Sequence, residues 1–183
     1  IRIGLIHDYT GPFAGGGSEP AEVGTKLLLD KINKGGGVVG HKIEAVYADA
    51  QSKVDVAINE AERLINQEKV DLIMGVYSSA QCVPLAQKMD AQKSFMWANI
   101  CISSAVFKDR GLQYVFRPQA HSDQFGQVSV DMIAHYAKAK LGEDAKGLKV
   151  AIIHEDGPYG VGVATSNAAW YIPTCWPRVG PGA

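Results

Sequence analysis

Short apolar runs alternate with amphipathic segments along most of this chain. The runs have the length of strands and cover residues 1–7, 43–49, 70–75 and 94–98. The segments between them carry apolar residues at the spacing of a helix. Strands separated by helices on short connections pair in parallel through right-handed crossovers. The pattern therefore predicts an α/β fold, a three-layer sandwich with a parallel sheet.

A second unit of the same kind begins after Arg117-Pro118. The pattern predicts a helix over residues 122–141 and a wholly apolar strand over 148–153. From residue 168 onward the helical period is lost, and three prolines interrupt the chain. The predicted domains are an N-terminal lobe over residues 1–118, the start of a second, incomplete α/β lobe over 119–167, and an irregular tail over 168–183.

The charges of the chain are balanced, with 18 basic and 19 acidic residues. Nucleic-acid binding needs a basic surface, so we expect no nucleic-acid partner. No apolar stretch approaches the length needed to cross a bilayer. The chain begins directly on a strand without an initiating Met, which suits a mature chain whose leader peptide has been removed.

Three cysteines, Cys82, Cys101 and Cys175, fit neither a disulfide scaffold nor a metal site, because their number is odd and their spacing matches no ligand motif. We expect Cys82 to be a buried free cysteine that packs as a small apolar residue. The histidines at 41, 121 and 135 also lack the spacing of metal ligands. We therefore predict neither a metal nor a cofactor.

The apolar run over residues 70–75 leads into Tyr77, Ser78 and Ser79 and then into a new amphipathic segment. In open α/β sheets, ligands bind at the carboxyl ends of the strands, where the next helix presents unpaired N–H groups and the positive end of its dipole. Ser78 and Ser79 stand where an anionic or hydrogen-bonding group of a ligand would bind. The same residue type also caps helices. One serine can do both, and the residues alone do not separate these roles.

Catalysis is the competing interpretation of these serines. A hydrolase of the α/β class places its nucleophile in Gly-x-Ser-x-Gly, and neither Ser78 nor Ser79 has glycines at those positions. His7 and His154 lie at predicted strand ends and are candidates for a base. The glycines at 15–17 lack the Gly-x-Gly-x-x-Gly and Gly-Lys-Ser patterns of nucleotide-binding loops. We therefore predict a binding protein and no enzyme.

Several short motifs occur in a fixed order along the chain. They are Thr10-Gly11-Pro12, Ile32-Asn33-Lys34 running into Gly36-Gly37 and Gly40, Asp49, Val70-Asp71, Gly75, Ser79, Phe116-Arg117, Gly126 and residues 156–160. In this order and spacing the chain resembles the first half of the periplasmic binding proteins that serve branched-chain amino-acid (Leu/Ile/Val) ABC transporters. The resemblance extends from Ile1 to Asn167 and implies the type I periplasmic binding fold.

This resemblance implies two α/β lobes joined by a hinge, which close around a small carboxylate ligand in the cleft between them. By position, it implies that Ser79 holds the head group of the ligand. The implied ligand-binding residues are Ser78, Ser79, Tyr77, Asn99, Ile100, Cys101, Ser103 and Tyr159. Some relatives place an aromatic side chain in the first loop, where this chain has glycines at 15–17. The space left by these glycines favours an aromatic or otherwise larger carboxylate over a branched-chain amino acid such as leucine.

The resemblance also implies a periplasmic location, with the signal peptide removed, and the membrane permease of an ABC transporter as a partner. Such proteins are about twice as long, since they contain two lobes of ordinary domain size. We expect the incomplete second lobe to expose apolar side chains, and a homodimer to cover them. The alternatives to a binding protein are an α/β hydrolytic enzyme and a dimeric fragment that no longer binds, because a site with one wall binds weakly.

Overall fold

The computed structural model describes the backbone of residues 1–175, with side chains through residue 171. The chain forms two compact units. The first contains Ile1–Cys101 and Val106–Gln119, and the second contains Ile102–Ala105 and the chain from Ala120 onward. The predicted boundary after residue 118 differs from this division by one residue and by the short segment Ile102–Ala105.

A sheet of five parallel strands organises the first unit. The strands are β1 (Arg2–His7), β2 (Glu44–Asp49), β3 (Leu72–Gly75), β4 (Met96–Trp97) and β5 (Val115–Phe116). Their order is β2-β1-β3-β4-β5, and every neighbouring pair is parallel. The predicted α/β fold with a parallel sheet is therefore confirmed. Because all five strands run in the same direction, their carboxyl ends meet at one edge of the sheet.

Helices α1 (Glu19–Lys34), α2 (Val54–Asn66) and α3 (Ser79–Ala91) connect the strands of this sheet. The helices α2 and α3 each bury an apolar stripe against one face of the sheet. The core side chains are Ala57, Ala61 and Leu64 of α2, Cys82, Leu85, Ala86 and Met89 of α3, and Ile6, Ile73 and Met96 of the sheet. Full burial of one large apolar side chain contributes about 1.5–3 kcal/mol. This core therefore holds the first turns of α2 and α3 firmly at the carboxyl edge.

Two helices, α4 (Ser122–Leu141) and α5 (Pro158–Cys175), form most of the second unit. The predicted helix over residues 122–141 is thus confirmed. The two helices meet through small residues: a side chain at Gly126 would overlap Ser166 of α5. The hydroxyl of Ser166 donates a hydrogen bond of 2.7 Å to the carbonyl oxygen of Asp123.

Two predictions for the second unit are wrong. Residues 148–153 are not a strand, because no segment described in that unit pairs with them. The chain is also helical, not irregular, over residues 168–175. Two successive alanines at 168 and 169 favour a helix, and Tyr171 donates a hydrogen bond of 2.9 Å to the carbonyl oxygen of Leu148. The rest of the predicted tail, residues 176–183, lies outside the described residues.

Candidate functional site

The end of β3 leads the chain into the carboxyl edge of the first sheet. Gly75 closes this strand with a φ of +135°, a region that side chains rarely allow. A side chain there would also overlap the carbonyl oxygen of Ile6 in the neighbouring strand β1. Glycine at this position therefore lets the chain turn sharply from β3 toward α3.

The serines after this turn lie at the start of α3. The hydroxyl of Ser78 accepts a hydrogen bond of 3.2 Å from the N–H of Ala80, so Ser78 is the N-cap of the helix. Ser79 is the first helical residue and is 4% exposed. The capping role that the sequence left open is thus confirmed for Ser78. The N–H of Ala80 is therefore taken by the cap, while the first turn of the helix still presents the positive end of its dipole, which can favour an anionic group without a buried cation.

Tyr77 packs against the first loop. Its ring lies directly over Gly17, where any side chain would overlap it, and its ring centroid is 5.9 Å from that of Phe13. Gly17 belongs to a π-helical turn, Ala14–Ser18, that leads into α1. The expectation that the glycines at 15–17 leave room for a ligand is therefore wrong at Gly17, because the ring of Tyr77 fills that space.

The loop after β4 is joined to α3 by a disulfide. Cys82 and Cys101 are bonded to each other, with their Cα atoms 6.3 Å apart, and both are buried. The prediction that Cys82 is a free cysteine is therefore wrong. The strands β3 and β4 are neighbours, so the segments that follow them leave the sheet side by side, which the sequence spacing does not reveal.

Three predicted ligand-binding residues lie on this loop. Asn99 and Ile100 are half-buried, and Cys101 is 1% exposed with its sulfur in the disulfide. The Oδ1 atom of Asn99 is buried and has no hydrogen-bond partner among the described residues. The disulfide therefore brings this loop next to the start of α3, as the predicted site requires, while a ligand contact from each residue stays a prediction.

The sequence patterns gave no indication of a buried carboxylate at this edge. Asp8 follows β1, is fully buried, and accepts hydrogen bonds at its Oδ1 from the N–H of Ser52 (2.6 Å) and from the amide side chain of Gln81 in α3 (2.8 Å). The N–H of Asp8 donates a bond of 2.9 Å to the hydroxyl of Ser18. Asp8 thus links the segment before α2 and the first turn of α3 through its carboxylate, and the residue before α1 through its backbone N–H.

A second carboxylate, that of Asp49 at the end of β2, holds the first loop. It accepts hydrogen bonds from the hydroxyl of Thr10 (2.6 Å) and from the N–H groups of Tyr9 (2.9 Å) and Gln51 (2.8 Å). Burial raises the pKa of Asp49, but these hydrogen bonds, led by that of Thr10, outweigh burial and lower the pKa below its ordinary value. The carboxylate is therefore ionised at neutral pH and the loop is fastened to β2.

Two further polar side chains lie beside this loop, His7 buried and Tyr9 half-buried. His7 is 1% exposed, and burial lowers its pKa, against the opposing effect of the negative charges of Asp8 and Glu22. Burial also raises the pKa of Tyr9, whose ring stands edge-on to that of His7 at 6.3 Å. Neither ring nitrogen of His7 has a hydrogen-bond partner among the described residues. Both side chains are neutral at pH 7, so they supply dipoles and no charge.

The other two predicted site residues, Ser103 and Tyr159, belong to the second unit. Ser103 is 1% exposed, and its hydroxyl accepts a hydrogen bond of 3.3 Å from the N–H of Ala105. Tyr159 is 50% exposed and lies in the first turn of α5, not in a loop. Pro158 explains this difference, because proline is favoured at the first position of a helix. A Cβ atom at position 162, which is glycine in α5, would lie 4.0 Å from the hydroxyl oxygen of Ser103. Ser103 therefore lies close to the backbone of α5.

Within the described residues, no cluster of His, Cys, Asp or Glu could hold a metal ion. In the same part of the chain, no helix combines the length and the hydropathy of a membrane span.

The sequence matches the periplasmic binding protein family over residues 1–173. Leu/Ile/Val-binding protein homolog 7 of Brucella suis is 37% identical over 164 residues, which cover 90% of this chain and 40% of that protein. Homolog 8 of Brucella abortus is 34% identical over the same shares. The chain thus spans 40% of the length of these curated relatives.

Solved structures with the same fold include the substrate-binding protein LivJ of Streptococcus pneumoniae, in complex with isoleucine. Its TM-score is 0.74 at 23% identity, over 93% of this chain and 46% of that one. A solute-binding protein of Rhodopseudomonas palustris BisB5, in complex with 3,4-dihydroxybenzoic acid, has a TM-score of 0.77 at 21% identity, over 96% of this chain and 45% of that one. Both likenesses concern the fold.

Proposed function

Because the chain belongs to the periplasmic binding protein family, we propose that it binds a small carboxylate at the carboxyl edge of its first sheet, as the solute-binding component of an ABC transporter. The observation that carries this proposal is the start of α3, where Ser78, Ser79 and the first amides of the helix lie together. A branched-chain amino acid and an aromatic acid are the candidate ligands. Isoleucine and 3,4-dihydroxybenzoic acid are bound by proteins of similar fold.

The physical basis is a set of donors directed at one negative group. Hydroxyl and amide donors form charge-assisted hydrogen bonds to a carboxylate, each worth about 1.5–3 kcal/mol. Asn99 supports the proposal, because its buried Oδ1 is an acceptor that a ligand amine or hydroxyl would satisfy. Ile100 and Tyr77 add apolar surface beside these polar groups, as binding sites for small molecules commonly have.

Titration calorimetry with L-isoleucine and 4-hydroxybenzoate tests the proposal. We expect one of them to bind, and Ser79→Ala to weaken that binding by about tenfold or more, since one charge-assisted hydrogen bond is lost. Ser94→Ala is the matched control, because Ser94 precedes β4 at the opposite edge of the sheet. Binding that Ser79→Ala leaves unchanged would remove the site assignment, and absence of binding would favour the non-binding alternative.

Binding has more support than catalysis at this site. A hydrolase needs a serine hydrogen-bonded to its base. The ring nitrogens of His7 have no such partner among the described residues, and His154 lies in the other unit. Hydrolysis of an activated ester that disappears in Ser79→Ala would revive the enzymatic alternative.

We place the protein outside the cytoplasm, with a membrane permease as its transport partner. The Cys82–Cys101 disulfide supports this location, because disulfides persist in oxidising compartments such as the periplasm. The family itself is described as periplasmic. Recovery of the oxidised protein from a periplasmic extract of its native host would agree with this location, whereas a fully reduced cytoplasmic protein would contradict it.

A homodimer through the second unit is also part of the proposal. Val150, Ile152 and Ile153 are exposed by 44%, 40% and 97%, and a cavity of 480 Å³ lies among α4, α5 and residues 148–152. Apolar surface of this kind is commonly covered by a partner, and a second copy would bring the same surface.

Light scattering at micromolar concentration tests the dimer. We expect Ile153→Lys to produce a monomer, while Leu27→Lys, a change at an equally apolar exposed position in α1, leaves the dimer intact. A wild-type protein that is a stable monomer would contradict the homodimer.

A further inference from the structure

Two aromatic side chains stand side by side next to the serines at the start of α3. The rings of Phe13 and Tyr77 have centroids 5.9 Å apart and planes inclined by 50°. Phe13 is 39% exposed, and Tyr77 is half-buried and directly precedes Ser78. Together the two rings form a surface, here named the aromatic wall, at the edge where the proposed carboxylate binds.

The aromatic wall exists because residue 17 is glycine. A side chain at Gly17 would overlap three atoms of the Tyr77 ring, whereas side chains at Gly15 and Gly16 would meet no atom within 4 Å. Three successive glycines therefore have different roles. Only Gly17 is required by close packing, and it lets the ring of Tyr77 pack closely against the first loop.

The other member of the wall is held by the backbone of the same loop. The N–H of Phe13 donates a hydrogen bond of 3.1 Å to the hydroxyl of Ser52, and the N–H of Ala14 donates one of 3.2 Å to the carbonyl oxygen of Gly11. The loop is fixed further by Asp49, as described above. An aromatic ring that is exposed while its backbone is held is suited to recognition, because little freedom is lost on binding.

We propose that the aromatic wall, Phe13 and Tyr77, selects a carboxylate with a planar aromatic ring over one with a branched aliphatic side chain. This inference rests on the proposed function and narrows its ligand class. Aromatic rings gain from offset or edge-to-face contact beyond the burial of area, by an amount that corresponds to about twofold to tenfold in affinity per pair. A branched aliphatic side chain gains only the burial. Gly17 acts through Tyr77 and is a positioning residue.

The binding test compares 4-hydroxybenzoate with L-isoleucine by titration calorimetry. We expect the wild type to prefer 4-hydroxybenzoate, and Tyr77→Leu and Phe13→Leu each to reduce that preference by about twofold to tenfold. Ser79→Ala should weaken both ligands and leave their ratio unchanged, which separates failure of the wall from failure of the carboxylate site. A preference for isoleucine, or a ratio that neither leucine variant alters, overturns the inference. A wild type that binds neither probe overturns it together with the proposed function.

The dependence on Gly17 is tested without a ligand by thermal denaturation. We expect Gly17→Ala to lower the Tm, and the matched control Gly16→Ala to leave it unchanged or raise it slightly. The decrease in Tm caused by Gly17→Ala should largely disappear when Tyr77 is also replaced by alanine, because the side chain at position 17 overlaps the ring of Tyr77. Equal Tm values for the two glycine variants, or a loss that persists without the ring, would show that the wall is not built on Gly17.

Discussion

Replacing both cysteines of the Cys82–Cys101 disulfide by alanine should destabilise the first unit. The bond joins two residues separated by 19 positions, one in the first turns of α3 and one in the loop after β4. Without it, the unfolded chain gains the freedom of an open loop. For a loop of this length, the chain-entropy relation gives a loss of about 3 kcal/mol in the free energy of unfolding.

This loss corresponds to a drop of roughly 6–12 °C in Tm, since 1 kcal/mol shifts the midpoint by about 2–4 °C in chains of 150–250 residues. Both sulfurs are buried, so the alanines also leave a small loss of packing that acts in the same direction. The two segments that the bond joins carry Ser78, Ser79 and Asn99. We therefore expect the double variant to bind the ligand more weakly as well, because these residues are held less firmly and not because a ligand contact is removed.

Thermal denaturation with and without dithiothreitol is the assay. The reductant should lower the Tm of the wild type to about that of the double variant and leave the variant itself unchanged. The chain has three cysteines, so a thiol titration of the unreduced wild type in denaturant should find one free thiol. Three reactive thiols in the unreduced protein, or equal Tm values for wild type and variant, would refute the reasoning.

Two further predictions concern the buried polar groups of the first unit. Asp8→Ala should lower the free energy of unfolding, measured with urea, by roughly 2–5 kcal/mol, because Ser52 and Gln81 lose their common acceptor. Asp131→Ala, a change at an exposed position, is the control. An Asp8→Ala loss no larger than that of the control would contradict this role. Because burial holds the pKa of His7 below its ordinary value of 6.5, the folded state binds this proton less readily than the unfolded state. The contribution of neutral His7 to the free energy of unfolding is therefore fully present above pH 6.5 and should decrease as the pH falls below that value. His7→Gln should flatten this part of the profile measured by urea denaturation, and an unaltered profile would show that His7 is not its source.

The strand pattern of the first unit could be predicted from the sequence because its apolar runs are short and separated by clear helical segments. Strands buried on both faces read as continuous apolar stretches, and β1 is of this kind, because it is buried from Ile3 to His7, whereas the edge strand β2 is only partly buried. The same reasoning failed at residues 148–153. An apolar run predicts burial, but a strand also needs a neighbour, and composition cannot show whether one is present.

The sequence could predict the residues of the candidate site only where their location follows from the order of strands and helices. Ser78 and Ser79 come after a strand and before a helix, so their place at the carboxyl edge follows from topology. The disulfide and the Asp8–Gln81 hydrogen bond join residues 19 and 73 positions apart. No local pattern specifies such pairs. Gly17 was misread for a related reason: whether the space beside a glycine is open depends on a side chain from another element, here Tyr77.

The polar groups at this edge divide into two kinds by their hydrogen-bond partners, and the division suggests how an acid could bind without a buried cation. The carboxylate of Asp49 accepts hydrogen bonds from the first loop, and that of Asp8 accepts them from Ser52 and from Gln81 of α3, so both acidic side chains hold structure together. The groups left for a ligand are then hydroxyls, helix amides and the aromatic wall. At Asp8 the bonds are made by Oδ1 alone, while the buried Oδ2 has no hydrogen-bond partner among the described residues. The positive end of the α3 dipole is then the feature of this edge that would favour an anionic group.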